Sequence, residues 1–209
     1  MLKDEIRNGL QAMQLEVRDE QVEKLQAYLE LLKKWNKAYN LTAITDLKKM
    51  VSYHLLDSLS LLPYIPPQGR CLDVGTGAGL PGIPLAIMLP ESDWVLLDSN
   101  GKKTRFVQQA IAHCQLSHVK VVQARVEDYH AESSFDVIVS RAYSSLADFI
   151  ATVEALWQPH TRLLTMKTEL AEAESEAVDP SQYQMQINHL QVPGIAQKRS
   201  LVIVQRRKS

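Results

Sequence analysis

The stretch Cys71-Leu72-Asp73-Val74-Gly75-Thr76-Gly77-Ala78-Gly79-Leu80-Pro81-Gly82 limits what this chain can fold into more than any other segment. Cys71–Val74 reads as a short buried strand carrying an acid, the glycines as a tight turn, and Pro81-Gly82 as the entry to a helix. Glycine permits backbone angles that a Cβ forbids and lets a ligand approach the main chain. A helix starting there adds unpaired N–H groups and a partial positive charge. Such a strand–turn–helix opens a doubly wound α/β sheet and makes a floor for a nucleotide-like ligand.

The pattern Gly77-x-Gly79-x-x-Gly82 satisfies the dinucleotide fingerprint, a weak signal alone. Asp73 changes the reading. An acid two residues before Gly75 repels a pyrophosphate and suits a ligand carrying a cation; S-adenosyl-L-methionine carries an ammonium and a sulfonium. The alternative role for Asp73 is to cap the helix of an ordinary turn. Asp98 ends a second apolar run, Trp94–Leu97, where an acid accepts hydrogen bonds from ribose hydroxyls. Ile83-Pro84 stand where a P-loop needs Lys-Ser/Thr, which argues against one.

The remaining chain extends the alternation. Strands are predicted over Cys71–Val74, Trp94–Asp98, Val119–Val122, Phe135–Ser140 and Arg162–Lys167, with helices over Ile83–Leu89, Lys102–Cys114 and from Ser144 or Ser145 to Trp157. An acidic helix covers Glu169 to Asp179. Two more strands, Tyr183–Gln191 and Ser200–Gln205, lack a helix between them and predict an antiparallel hairpin. The expected fold class is α/β, Rossmann-like, with a mostly parallel seven-stranded sheet. Ahead of it, Val22, Leu25, Leu29 and Leu32 repeat at helical spacing, Asp19 is a candidate N-cap, and Thr45 or Asp46 caps a helix through Leu55, Leu56 and Leu59. The expected division is a helical extension over 1–66 and an α/β domain over 67–209.

With 209 residues and a net charge of −1, the chain suits one such domain and a small appendage. No apolar run approaches the roughly 18 residues of a membrane span. The polar start Met1-Leu2-Lys3-Asp4-Glu5 does not resemble a secretory signal. Cys71 and Cys114 lie in apolar contexts as buried thiols, and no Cys/His cluster has metal-ligand spacing. The expectation is a cytoplasmic monomer without metal or membrane attachment. Charge is unevenly spread: Gly194 to Ser209 carries Lys198, Arg199, Arg206, Arg207 and Lys208 and no acid, which predicts a face that favours phosphate.

In an open α/β sheet the ligand crevice lies beyond the carboxyl ends of the strands. The candidates there are Asp73, Gly75, Gly77 and Gly79, Asp98, Arg125-Val126-Glu127 and Ser140-Arg141-Ala142. Glu127 either holds an adenine amino group or fixes its loop. Arg141 anchors a carboxylate or forms a structural ion pair, and Arg125 either faces the crevice or pairs with Glu127. Lys167 ends the fifth strand on the same rim and Arg199 opens the last one. Lys102, Lys103 and Arg105 open a helix, where the dipole disfavours cations, so they either meet phosphate or form a solvated face. The fourth strand does not end in Asn-Pro-Pro-Tyr/Phe, and no cysteine ends a strand to attack a base. The target atom is therefore expected to be nucleophilic already.

Taken nearly end to end, the chain resembles the bacterial small-subunit ribosomal RNA guanine-N7 methyltransferases, also called glucose-inhibited division protein B. The resemblance rests on Lys34-Trp35-Asn36-Lys37-x-x-Asn40-Leu41-Thr42, His54-x-x-Asp57-Ser58, Leu72-Asp73-Val74-Gly75-Thr76-Gly77-x-Gly79-Leu80-Pro81-Gly82-Ile83-Pro84-Leu85, Leu97-Asp98-Ser99, Arg125-Val126-Glu127 and Ser140-Arg141-Ala142. Thr168 stands where the family usually has glycine. The resemblance implies a class I methyltransferase fold, S-adenosyl-L-methionine as donor, and N7 of one guanine in 16S ribosomal RNA, free or in a small-subunit particle, as acceptor. It implies cofactor contacts from Gly75, Leu80, Val126, Glu127 and Arg141. It makes Arg125, Arg141 and Arg199 the candidate catalytic group near the RNA, with Lys167 as a further contact; Lys198, in the basic C-terminal stretch, is another candidate RNA contact. Guanine N7 carries its own lone pair, so in-line attack on the methyl needs no general base.

Overall fold

A computed structural model describes residues 1–141, 145–168 and 178–207. The predicted acidic helix from Glu169, the cap at Ser144, Ala142 and Lys208 fall outside the described residues. Seven strands form one sheet: β1 (Arg70–Val74), β2 (Asp93–Asp98), β3 (Val119–Gln123), β4 (Val137–Ser140), β5 (Arg162–Lys167), β6 (Tyr183–Leu190) and β7 (Arg199–Arg206). Their order is β3-β2-β1-β4-β5-β7-β6. β1 to β5 run parallel, while β7 is antiparallel to both β5 and β6. The hairpin is thus woven in: the later strand, β7, lies inside, and β6 takes the edge. The burial pattern explains why. β7 carries the continuous apolar run Leu201–Val204, fit for an interior position, whereas β6 alternates exposed and half-buried residues.

Alternation along the parallel strands assigns each residue to one of two cores. Cys71, Trp94, Leu96, Val137 and Val139 face one layer. Leu72, Val74, Val95, Leu97 and Ile138 face the other, where Phe135, Phe149 and Trp157 pack with α7 (Leu146–Val153). Ser145 caps α7, its Oγ accepting from the Asp148 N–H at 3.0 Å. Phe135 lies outside β4, which begins at Val137, and a 3-10 turn over Glu154–Leu156 ends the helical run short of Trp157.

The first layer contains α5 (Gly82–Met88) and α6 (Gly101–His113), together with the N-terminal helices α1 (Leu2–Ala12) and α2 (Asp19–Tyr39). One hydrophobic core runs from Ile6, Leu25, Tyr28 and Leu32 through Leu85 and Phe106 to the sheet. α2 packs on both α5 and α6. Arg18, not Asp19, stands at the N-cap of α2, because Gln21 Oε1 accepts from the Arg18 N–H at 3.0 Å. Asp19 is drawn instead to Arg7 of α1, 2.7 Å away. After α2 ends on a left-handed Asn40, the chain forms α3 (Leu47–Met50), a π-helical turn (Val51–Leu56) and α4 (Asp57–Leu59) without a break. Asp46 caps this stretch, accepting from Lys49 N–H at 3.0 Å. Both cysteines are buried thiols, and burial lifts them to about 12 for Cys71 and about 11 for Cys114. Among the described residues no helix is long and apolar enough to cross a membrane.

Candidate active site

The glycine turn is braced from both strand ends. Asp73 is wholly buried, and its Oδ2 accepts from Thr76 Oγ1 at 2.7 Å and from Gly82 N–H at 2.9 Å. One carboxylate oxygen thereby closes the turn and caps α5. Its Oδ1 is buried with no partner among the described residues. Burial raises the Asp73 pKa to about 6, while the Thr76 and Gly82 hydrogen bonds and the Arg141 charge pull the other way. Gly82 admits no side chain, since a Cβ there would stand 2.2 Å from Leu96 Cδ2 and 2.8 Å from Asp73 Oδ2. Gly75, Gly77 and Gly79 all have positive φ, a region that favours glycine over residues with a Cβ.

Asp98 braces the same turn from β2. Its Oδ2 accepts from Gly77 N–H at 2.9 Å and its Oδ1 from Asn100 N–H at 2.8 Å. Lys103 Nζ lies 3.7 Å from Oδ2. From the opposite side, the buried Tyr28 hydroxyl of α2 donates to the Ala78 carbonyl at 2.7 Å. The turn is therefore held by two strand-end acids below and a helix of the N-terminal layer above.

A cleft of about 320 Å³ opens beyond the carboxyl ends of β1, β2 and β3, lined by Gly75, Asp98, Lys103, Arg125, Val126 and Glu127 among others. Five of the predicted site residues thus meet in one hollow. Arg125 and Glu127 are both exposed on its rim, and no ion pair joins them among the described residues. Lys103 belongs to this cleft, whereas Lys102 and Arg105 are exposed on α6. Gly77, Gly79 and the half-buried Leu80 form the turn itself. The cleft fits a nucleoside: a positive-φ glycine offers close backbone approach, Asp98 retains acceptor capacity, and Glu127 projects a carboxylate at its rim.

Arg141 and Arg199 belong to a second group that sequence reasoning did not assemble. Both pair with Asp57: Arg141 Nη2 to Oδ2 at 3.2 Å and Arg199 Nε to Oδ1 at 3.0 Å. Ser58 Oγ accepts from Arg141 Nη1 at 3.3 Å. Asp57 and Ser58 carry part of the family resemblance, but the sequence alone gives them no role. The signal available was an Asp-Ser pair between Leu55-Leu56 and Leu59, a polar interruption of an apolar helix face. His54, one turn earlier, is 6% exposed; Thr42 Oγ1 contacts its Nε2 at 2.9 Å, and burial pushes its pKa down to about 4.

Lys198 is exposed and shares with Arg199 the wall of a larger cavity of about 640 Å³, formed by residues 189–193 and 195–199 and Ala12. Lys167 is buried at the end of β5, in register with Ser200 beside Arg199. The expectation of one basic face from the C-terminal residues fails in the described part. Arg206 sits at the opposite end of β7 from Arg199, about 23 Å away at ordinary strand rise. It pairs with Glu154 and lies over the Trp157 ring, while Arg207 Nε donates to the Pro180 carbonyl at 2.7 Å.

Comparison with known proteins agrees with the fold. A protein of the NADB-Rossmann superfamily from Streptococcus agalactiae superposes with a TM-score of 0.60 at 14% identity, covering 73% of this chain and 68% of that one. An Agrobacterium tumefaciens protein described as a predicted O-methyltransferase gives 0.57 at 20% identity, over 74% of this chain and 81% of that one. The fold is the Rossmann-like methyltransferase fold. In sequence, the chain is 48% identical over 205 residues to ribosomal RNA small subunit methyltransferase G of Ectopseudomonas mendocina, covering 97% of this chain and 95% of that protein. The protein of the same name from Nitrosococcus oceani is 47% identical over 204 residues, covering 98% and 95%. The model of the GidB family, rRNA small subunit methyltransferase G, matches residues 21–203. With the glycine turn, the strand-end cleft and near-complete coverage in agreement, this chain belongs to the rRNA small subunit methyltransferase G family.

Proposed function

We propose that this protein methylates N7 of a guanine in 16S ribosomal RNA, with S-adenosyl-L-methionine as donor. The observation that carries the reading is the cleft over β1–β3, with Gly75, Asp98 and Glu127 on its lining, in a chain of this family. Bound there, S-adenosyl-L-methionine supplies an electrophilic methyl on a sulfonium.

The chain's own residues divide the remaining work. Gly75 and Val126 offer close backbone and apolar contact, Asp98 accepts from ribose hydroxyls, and Glu127 orients the adenine edge. Asp73 stiffens the turn and places a negative charge beneath it for a cationic ligand. A target guanine must leave its stack to enter the site. Its N7 lone pair then attacks in line, and catalysis is chiefly alignment. The buried titratable groups suit a reaction that removes no proton: Asp73 is taken up by the turn, and His54 faces Thr42. The product base is cationic, so an arginine bidentate on O6 and N7 would obstruct attack. Arg125 or Arg199 therefore holds phosphate or O6 only.

The test is methyl transfer from labelled S-adenosyl-L-methionine to ribosomal RNA from a strain lacking this protein, with strand cleavage at N7-methylguanine to map the base. One cleavage site in 16S RNA is the expected result. Cofactor binding without labelling of RNA or small subunits would move the acceptor to another class of molecule.

A further inference from the structure

Asp57 is a buried carboxylate shared by two arginines that reach it from distant parts of the chain. Arg141 follows β4, Arg199 opens β7, and Asp57 opens α4 in the N-terminal layer. Two guanidinium groups brought together alone repel each other; a carboxylate between them, one oxygen to each, makes the arrangement stable and leaves a net positive charge. The arginines are also fixed in orientation. Arg141 gives Nη2 to Asp57 and Nη1 to Ser58, and Arg199 gives Nε to Asp57 and Nη1 to the Lys198 carbonyl at 3.3 Å. The Nη2 group of Arg199 is left as its end not engaged by the described residues.

The surroundings hold this arrangement rigid. The π-helical turn Val51–Leu56 leads directly into Asp57, and such turns recur at functional sites. The same turn receives the β6–β7 loop. Gly194 packs so closely on Ser52 that a Cβ would come within 2.3 Å of its Oγ, and Tyr53 Oη donates to Gln197 Oε1 at 3.4 Å.

We propose that Asp57 is a positioning residue for methyl transfer: its carboxylate sets Arg141 and Arg199 at one fixed spacing, Arg141 toward the donor and Arg199 Nη2 toward the RNA. This rests on the functional reading above, with Arg199 at the RNA and Arg141 taken on the cofactor side, where its charge reaches Asp73 of the glycine turn. The step is not chemical; Asp57 touches neither reactant and acts through the two guanidinium groups.

Two measurements on the intact protein test it. In Asp57→Asn the amide oxygen keeps one arginine while the NH2 group turns a donor toward the other, which is released. Per S-adenosylhomocysteine-binding site, kcat should fall by about tenfold or more while KM for RNA stays level or drops, because the site gains positive charge. Asp57→Glu should recover part of the loss. A purely structural carboxylate would reduce the number of binding sites and leave kcat per site within about twofold, and that result would overturn the proposal. Should Asp57→Asn not fold, Ser58→Ala removes only the second anchor of Arg141 and should lower kcat per site by about threefold. The second measurement needs no RNA: 15N spectra of the arginine side chains. The Arg199 Nε–H should be sharp and slow to exchange with water in the wild type and fast in Asp57→Asn. Free exchange in the wild type would refute the clamp. Wild-type protein that methylates no RNA would instead remove the functional reading, with the spectra still deciding whether the clamp exists.

Discussion

Arg199 Nε meets Asp57 Oδ1 at 3.0 Å across 142 residues of sequence, which ties the start of β7 to the N-terminal helical layer. Asp57 is buried and Arg199 nearly so, with side-chain exposures of 3% and 12%. Replacing Arg199 by Met leaves Asp57 with Arg141 as its only charged partner among the described residues. The expected cost is about 2 kcal/mol of folding stability, the scale of one lost charge-assisted hydrogen bond. Urea unfolding of Arg199→Met beside Lys198→Met checks this; the exposed Lys198 should show a change under about 0.5 kcal/mol.

Glu127 is exposed at the rim of the β1–β3 cleft. Glu127→Ala should therefore leave the melting temperature nearly unchanged. S-adenosylhomocysteine affinity, measured by calorimetry, should weaken by about tenfold, the equivalent of roughly 1.4 kcal/mol. Equal affinity in the two proteins would take Glu127 out of the cofactor site.

Tyr28→Phe removes the only hydroxyl that reaches down from α2 to the glycine turn among the described residues. The Ala78 carbonyl then loses its buried donor. A loss of about 1–2 kcal/mol in unfolding free energy is expected. Hydrogen exchange of the Gly75–Gly79 amides should quicken in the same variant.

Gly82→Ala should prevent proper folding of the turn. The added methyl meets Leu96 at 2.2 Å and the carboxylate that caps α5 at 2.8 Å. Neither neighbour has room to retreat, as both residues are fully buried. Destabilisation of about 3 kcal/mol is expected from overpacking, with loss of S-adenosylhomocysteine binding as the second readout.

Two buried groups that titrate below neutral pH, His54 and Asp73, pull stability in opposite directions. His54 is depressed from 6.5 to about 4, so its contribution is present above pH 6.5 and is lost as pH falls through about 4. Asp73 is raised from 3.8 to about 6, so its contribution is present below 3.8 and is lost as pH rises through about 6. Between pH 4 and 6 the two largely offset one another. His54→Gln should unmask the Asp73 effect, giving a protein whose stability rises on acidification across that window. Urea midpoints at pH 4.5 and 6.5 measure it, and a fall in the midpoint on acidification in His54→Gln would contradict it.

What could be read from the amino-acid order was local. Asp73 through Gly82 announces its strand, turn and helix because each step depends on near neighbours. The apolar period of β7 likewise announces a buried strand. Less accessible was anything set by meetings across the chain. Asp57 lies in a helix among leucines, and nothing adjacent says that two arginines close over it. The C-terminal bases read as one patch because they are close in sequence. A strand separates them in space, and Arg206 is spent on Glu154 and Trp157. Asp73 carried two readings, a capping acid and a partner for a cation. Its Oδ2 does the capping, and its Oδ1 is left facing the interior without a partner among the described residues.

The place of β7 in the sheet bears on how the protein is made. During synthesis β5 and β6 emerge before it, and neither is hydrogen-bonded to the other in the finished sheet. β6 therefore joins the sheet only once residues 199–206 are there to pair along both edges. Arg199 enters with that strand, so the two-arginine group at Asp57 is completed only then. A chain without β7 thus cannot assemble the two-arginine group, whatever becomes of its glycine turn.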